Sequence, residues 1–303
     1  LCVFFLIFIA FSRFGKIRLG NSPPEFDRLS WIAMLYSAGM GAGILLRAVQ
    51  EPVFMFLNSP IETSSSSQVI ALEYTFYQWG FTAWAFYGIF ALLIAYALFV
   101  RKSDILLGSS LPQLKTIKYL SQGVNLLTIL TTVFGLVAAI GLGTTQIEGG
   151  ISHLTSTPAG TLWITILLVF LVCLLAFISA FAGIKKGIKR ISNWNIYVTV
   201  ILMFFVFFQV DILNVFSQFF ESIYSYIIDF VPLSLALGKY NPGKEFLTDW
   251  TYYYWAFWVA WAPFTGIFIA RISKGRNIRE MILGVLLIPS LGSFFWFSVF
   301  GSA

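Results

Sequence analysis

Three tryptophans within residues 252–271 have the spacing of a binding face on a helix. Trp255, Trp258 and Trp261 each lie three residues apart, so in a helix their rings share one arc of the surface. Pro263 follows them and lacks a backbone donor, which predicts that the helix kinks or opens there. Aromatic faces attract cations most strongly where water is excluded, and quaternary ammonium groups are their usual ligands. Because the run has the length of a bilayer span, the segment predicts a cation site inside a membrane.

A second segment, SAGMGAGILLRAVQEP, carries three glycines on alternate positions. Gly39, Gly41 and Gly43 each cost a helix interior about 1 kcal/mol relative to alanine, so together they favour unwinding. Taken alone, close helix packing through small residues is the commoner explanation. Beside another span that we expect to be broken, and that carries an aromatic set, a break that presents backbone to an ion or substrate is favoured. We therefore predict a broken span at these glycines.

Arg47 follows the glycines in the middle of the same apolar run. An arginine inside a membrane costs several kcal/mol unless it is paired. Glu51, four residues on, is adjacent on the helix, and Glu148 is another candidate partner. Two interpretations stay open: Arg47 is half of a structural ion pair, or it is a fixed cation that replaces a coupling sodium ion or binds a substrate carboxylate.

The elements that must position these residues are transmembrane helices. Hydrophobic residues make up 58% of the chain and charged residues 11%, which is too apolar for a soluble domain. The predicted fold class is therefore an all-α polytopic membrane protein. We count eight candidate spans, the first cut short at its start: residues 1–14, 29–57, 69–100, 124–148, 161–181, 194–215, 250–271 and 281–301.

Basic residues alternate between the links that join these spans. The links after the first, third, fifth and seventh spans hold 16 of the 19 lysines and arginines. Positively charged links stay cytoplasmic, so the first residue is expected on the outer side of the cell membrane. The net charge of +6 is then a topology signal and a face for membrane lipid, not a nucleic-acid surface. The long outer link, residues 216–249, is either an interfacial helix or a partly ordered loop, and both interpretations stay open.

Motifs of an enzyme or a metal site are absent from the sequence. We find no hydrolase triad, phosphate loop or dinucleotide fingerprint. His153 has no second ligand nearby, and Cys2 and Cys173 lie in apolar spans as small hydrophobic residues. We expect neither catalysis nor a metal cofactor.

Four segments together resemble the betaine/choline/carnitine transporter family along nearly the whole chain. They are GMGAG at 39–43 with Glu51-Pro52, QWGFTAWAFY at 78–87, FGLVAAIGLG at 134–143, and YWAFWVAWAPFTGIFIARISKGRNIRE at 254–280. The resemblance implies a fold in which two inverted five-helix repeats, with broken helices, bind substrate near the midplane. It implies that residues 1–303 are a single transporter domain, incomplete at both ends. The first repeat would span roughly 28–215 and the start of the second roughly 248–303.

The resemblance also implies a substrate cage made by the third and seventh spans. Trp84 and Tyr87 share a helix face, whereas Trp79 would lie well round the helix, so the third span wraps a pocket or uses Trp79 at its rim. Each aromatic could instead belong to an interfacial belt or to the core. We expect the rings to enclose a hollow rather than to face lipid. The implied substrate-binding residues are Trp79, Trp84, Tyr87, Trp255, Phe257, Trp258 and Trp261.

This sequence departs from the family pattern beside the cage. Phe257 stands where tryptophan is common, and Ala260 and Ala262 replace serines. Fewer donors put a carboxylate-bearing solute such as betaine in doubt, because a buried carboxylate needs partners. Backbone amides of an opened helix could still serve.

Ion coupling is implied by the resemblance alone. Backbone at Ser37 and Met40 matches one sodium site of the family. Thr132 and Phe264 match a second, where Leu136 replaces a threonine, so we expect that site to be absent or altered.

The expected function is secondary active import of glycine betaine, choline or carnitine by alternating access. We expect a homotrimer with Na+ as the coupling ion and no other cofactor. Sodium-independent exchange, proton coupling and a truncated, inactive membrane scaffold stay open as alternatives.

Overall fold

The structure is a computed structural model that describes residues 1–39, 41–61, 65–103, 108, 118–155, 158 and 160–302. The described residues are almost entirely helical, with one isolated antiparallel bridge between Arg18 and Asn277. The helices used below are α1 (Cys2–Phe11), α2 (Arg28–Gly39), α3 (Ala42–Leu57), α4 (Ser67–Trp79), α5 (Phe81–Ala95), α6 (Lys118–Thr155), α7 (Leu162–Phe181), α8 (Lys189–Phe207), α9 (Ile212–Ile228), α10 (Tyr253–Ile272) and α11 (Ile278–Gly301).

Six described helices are long and apolar enough to cross a membrane: Ser67–Val100, Tyr119–Thr155, Leu162–Phe181, Ile184–Phe207, Lys244–Ile272 and Ile278–Gly301. The bent pair α2 and α3 makes a seventh candidate span if it is counted as one. The shorter apolar helix α1 corresponds to the first predicted span. The predicted all-α polytopic class is confirmed, and the count of eight spans is only approximate.

The sixth predicted span, residues 194–215, is too long at its end. Helix α8 ends at Phe207 and a new helix, α9, begins at Ile212. The Asp211 side chain accepts hydrogen bonds from the amides of Leu213 and Asn214, so it caps the new helix and separates the two. Part of the long link after this span is therefore helical.

The second span is broken at the glycines. The segments Arg28–Ala38 and Gly43–Leu57 meet at 65°, and the backbone at Gly41 is extended. The three glycines on alternate positions, Gly39, Gly41 and Gly43, weaken the local preference for continuing the helix. Met40 lies outside the described residues.

The third span is also interrupted, at a single glycine between α4 and α5. A Cβ atom on Gly80 would lie 2.4 Å from the carbonyl oxygen of Phe76 and 2.6 Å from the ring of Phe294. Only glycine allows the chain to pass this close to α11. We did not expect this break from the sequence.

The sequence predicted a kink or an opening at Pro263, and the structure shows that the helix does not open there. Helix α10 continues as α-helix from Tyr253 to Ile272 with Pro263 inside it. Close packing supports it: a Cβ atom on Gly266 would lie 2.7 Å from Cβ of Phe90 on α5. Neighbouring helices commonly compensate for a proline in this way inside membranes.

The buried core lies where α4, α5, α10 and α11 meet. Trp84, Tyr87, Trp296 and Phe294 are among its largest fully buried side chains. Helix α7 by contrast has no buried residue, as an apolar helix facing lipid would.

Ion pairs join two of the basic links. Lys189 Nζ lies 2.7 Å from Asp27 Oδ2, and Lys185 Nζ lies 3.3 Å from Glu25 Oε1. The hydrogen bond from Lys189, with a second from the amide of Ser30, lowers the pKa of Asp27 below its ordinary value. These pairs fix the segment before α2 against the start of α8.

Candidate functional site

The break at Gly80 brings Trp79 into contact with α10. The rings of Trp79 and Trp258 meet edge to face with centroids 5.2 Å apart. Tyr87 meets Trp258 in the same way at 5.8 Å, and Trp84 meets Tyr87 at 5.5 Å. We call Trp79, Trp84, Tyr87 and Trp258 the aromatic cluster. The sequence predicted Trp79 on a continuous helix; in the structure α4 ends at Trp79, and its ring lies against Trp258.

The aromatic cluster faces protein, not lipid. Its four side chains are between 1% and 4% exposed, so none belongs to an interfacial belt. Its rings touch one another, whereas the sequence predicted an enclosed hollow between them. Two cavities lie elsewhere, one of about 460 Å³ beside Leu46 and Thr145 and one of about 130 Å³ beside Pro52. The structure thus shows the rings of the cluster in edge-to-face contact.

The other three predicted cage residues lie along the side of the aromatic cluster. Trp255 packs against Tyr77 and Phe86, with ring centroids 6.1 and 6.3 Å away. Trp261 covers Gly135 of α6, where a Cβ atom would lie 3.2 Å from the indole. Phe257 contacts both Trp258 and Trp261, at 5.1 and 5.8 Å.

The end of α4 before Gly80 also leaves a backbone carbonyl that can accept a hydrogen bond from a side chain. The last carbonyls of a helix have no partner within it. The indole nitrogen of Trp258 donates to the Gln78 carbonyl at 2.9 Å, inside the core. This bond fixes the edge of the Trp258 ring against the end of α4.

A buried carboxylate that sequence reasoning did not place in the site lies beside the cluster. Glu51 is fully buried, and its Oε2 accepts hydrogen bonds from Trp79 Nε1 at 2.9 Å and from the hydroxyl of Tyr254. Its Oε1 has no hydrogen-bond partner among the described residues. The sequence signal that indicates it is an acidic residue in the middle of an apolar span.

Of the two interpretations of Arg47, the ion-pair interpretation finds no salt bridge in the described part of the structure. No ion pair within the described ranges includes Arg47. Its Nη1 lies 3.4 Å from Gln50 Oε1 and its guanidinium lies 5.9 Å from the ring of Trp250. Glu51 is instead turned toward Trp79. Glu148 accepts from the amide of Gly160 and from the Thr165 hydroxyl, at 2.9 and 3.0 Å.

The residues expected to bind sodium lie on separate elements. Ser37 Oγ accepts from Asn195 Nδ2 at 3.4 Å, and Met40 is outside the described residues. The Thr132 hydroxyl donates to the Thr128 carbonyl at 2.7 Å, and Phe264 packs on Trp261. Thr132 and Phe264 stand on α6 and α10, which contact each other. Their role in ion binding stays a prediction.

Comparison with known proteins gives one consistent family. The family model described as BCCT, betaine/carnitine/choline family transporter, matches residues 1–303. The chain is 40% identical to the glycine betaine transporter OpuD of Bacillus subtilis, over 99% of the chain and 60% of that protein. It is 35% identical to the ectoine/hydroxyectoine transporter of Virgibacillus pantothenticus, over 99% of the chain and 61% of that protein. The high-affinity choline transport protein of Escherichia coli is 32% identical, over 100% of the chain and 46% of that protein. The chain thus spans about half to three fifths of the length of these relatives.

Proposed function

Because this chain belongs to the betaine/carnitine/choline transporter family, we propose that it imports a small quaternary-ammonium osmolyte across the cell membrane. The family consists of multi-pass membrane transporters, not enzymes. We extend the proposal to sodium-coupled alternating access in a homotrimer, with the first residue on the outer side, as the family resemblance and the basic links imply.

The aromatic cluster is the observation that carries the proposal. It joins the interrupted third span to α10 in the buried core, where cation–π attraction is strongest because water is excluded. Each aromatic face contributes roughly 0.5–2 kcal/mol to binding a cation. Tyr87 and Trp79 both approach Trp258, so two spans would close on one cationic head group.

We propose that binding is coupled to a conformational change, in which the rings that now meet edge to face separate to admit a trimethylammonium group. A solute that binds the separated arrangement better than the edge-to-face one shifts the population between them, which is what alternating access requires. The 65° break between α2 and α3 supports the ion-coupled version, because unwound backbone can present carbonyls to sodium.

Sodium-independent transport is the second candidate, and Arg47 favours it. No salt bridge among the described residues includes Arg47, so we propose its guanidinium as a fixed cation in the same broken span.

A labelled-solute uptake panel tests the function. Cells expressing the protein are offered glycine betaine, choline, carnitine, ectoine and proline, with and without sodium. Trp258→Leu should abolish uptake of the quaternary-ammonium solutes. The matched control is Trp163→Leu on α7, whose indole is 78% exposed, and it should leave uptake unchanged. Failure of every quaternary-ammonium solute to enter, or equal uptake by both variants, would contradict the proposal.

A further inference from the structure

We propose that Glu51 is a positioning residue of the aromatic cluster: one carboxylate oxygen holds Trp79 and Tyr254 in the orientation that receives the cationic head of the solute. The proposal rests on the proposed function of the cluster. In it, Glu51 acts through Trp79 and Tyr254 and not through a salt bridge with Arg47, which the described residues do not form.

One oxygen atom joins three spans. Oε2 of Glu51, on α3, accepts from Trp79 at the end of α4 and from Tyr254 on α10. The Tyr254 ring in turn lies 5.6 Å from Trp79 and is stacked on Trp258 at 6.1 Å. Each ring that Glu51 holds therefore contacts Trp258 directly.

Burial makes the loss of either hydrogen bond unfavourable. The indole N–H of Trp79 is a donor only, and Glu51, Trp79 and Tyr254 are all buried, so water cannot replace a lost acceptor. A buried donor without an acceptor is unfavourable, and the ring that carries it will rotate toward another partner. Losing the carboxylate should thus change the orientation of the Trp79 and Tyr254 rings without removing either ring.

A role for the charge itself is the competing explanation. Oε1 of Glu51 has no partner in the described part of the chain, so the carboxylate could attract the solute or the coupling ion directly. Because both hydrogen bonds end on the same oxygen, glutamine can keep them while losing the charge. Glu51→Gln and Glu51→Ala therefore separate the two roles.

The transport test compares the uptake kinetics of these two variants with those of the unmodified protein. We expect Glu51→Ala to raise the KM for the solute roughly tenfold or more, with a smaller effect on the maximal rate, because two buried donors lose their acceptor. Glu51→Gln should stay within about threefold of the unmodified protein, since it keeps the acceptor. Unchanged KM in Glu51→Ala, or equal damage in both variants, would overturn the positioning role.

Tyrosine variants keep the test valid if Glu51→Ala does not fold. Tyr254→Phe removes only the hydroxyl that donates a hydrogen bond to Glu51, and it should raise the KM for the solute. Tyr77→Phe on α4 is the matched control, because its buried hydroxyl has no partner among the described residues. The effects of Tyr254→Phe and Glu51→Ala should be non-additive, as for groups in one hydrogen-bond network. Equal effects of the two tyrosine variants would contradict the proposal.

A measurement without transport distinguishes failure of this inference from failure of the function. In 5-fluorotryptophan-labelled protein, the ¹⁹F resonance of Trp79, assigned with Trp79→Phe, should shift in Glu51→Ala and stay in place in Glu51→Gln. An unmodified protein that takes up no solute overturns the function. An unmoved Trp79 resonance in Glu51→Ala overturns the positioning role alone.

Discussion

Gly80→Ala is the substitution whose consequence the structure defines most closely. The new methyl group would lie 2.4 Å from the Phe76 carbonyl oxygen and 2.6–2.7 Å from two ring atoms of Phe294. The rings of Phe76 and Phe294 are stacked at 4.4 Å and fully buried, so neither can move without disturbing the core. Overpacking of this kind costs about 1–3 kcal/mol. Because Trp79 precedes Gly80, the displacement also reaches the aromatic cluster.

The assay combines stability and uptake. Gly80→Ala should lower the apparent melting temperature of the detergent-purified protein and raise the KM for the solute. Gly141→Ala on α6 is the matched control, since its Cβ has open space and alanine favours a helix by up to about 1 kcal/mol. A Gly80→Ala protein as stable and as active as the control would refute the reasoning that the chain must pass close to α11 at this point.

Three further predictions follow from other contacts. Gly284→Ala should destabilise the protein by about 1–3 kcal/mol in thermal unfolding, because its Cβ would lie 2.2 Å from the buried ring of Trp31; a stable variant would contradict this packing. The hydrogen bond from Lys189 lowers the pKa of Asp27 in the folded protein. The ionised Asp27 therefore stabilises the fold above its unfolded pKa of about 3.9, and this contribution is lost as pH falls through the lower folded pKa. The melting temperature should therefore fall on acidification below about pH 4, and Lys189→Met should weaken that dependence; identical pH profiles would contradict it. If Arg47 replaces the coupling ion, uptake does not respond to sodium, and a steep sodium dependence would rule that role out.

Breaks that depend on local backbone preference could be predicted from the sequence. Gly39, Gly41 and Gly43 act through the helix propensity of their own residues, and the second span is bent there. The interruption at Gly80 could not be predicted, because it depends on the ring of Phe294, more than 200 residues away in the sequence. A lone glycine in an apolar run carries no sign of such a neighbour. The sequence prediction for the third span therefore used a continuous helix, whereas α4 ends at Trp79.

Of the kink or opening predicted at Pro263, the opening does not occur, because close packing of α10 against α5 at Gly266 supports the helix there. Some contacts between the predicted residues follow from the sequence and others do not. Trp258 and Tyr87 do meet, whereas the bonds from Trp79 and Tyr254 to Glu51 required knowledge of which spans are neighbours.

Competition by a neutral isostere tests the central claim, that the aromatic cluster holds a positive charge. Choline and 3,3-dimethylbutan-1-ol have the same shape and differ in replacing the cationic nitrogen by carbon. We predict that choline competes with labelled solute at least roughly tenfold better than the neutral compound, and that Trp258→Leu removes most of this difference. Equal competition by the two compounds in the unmodified protein would contradict a cation site.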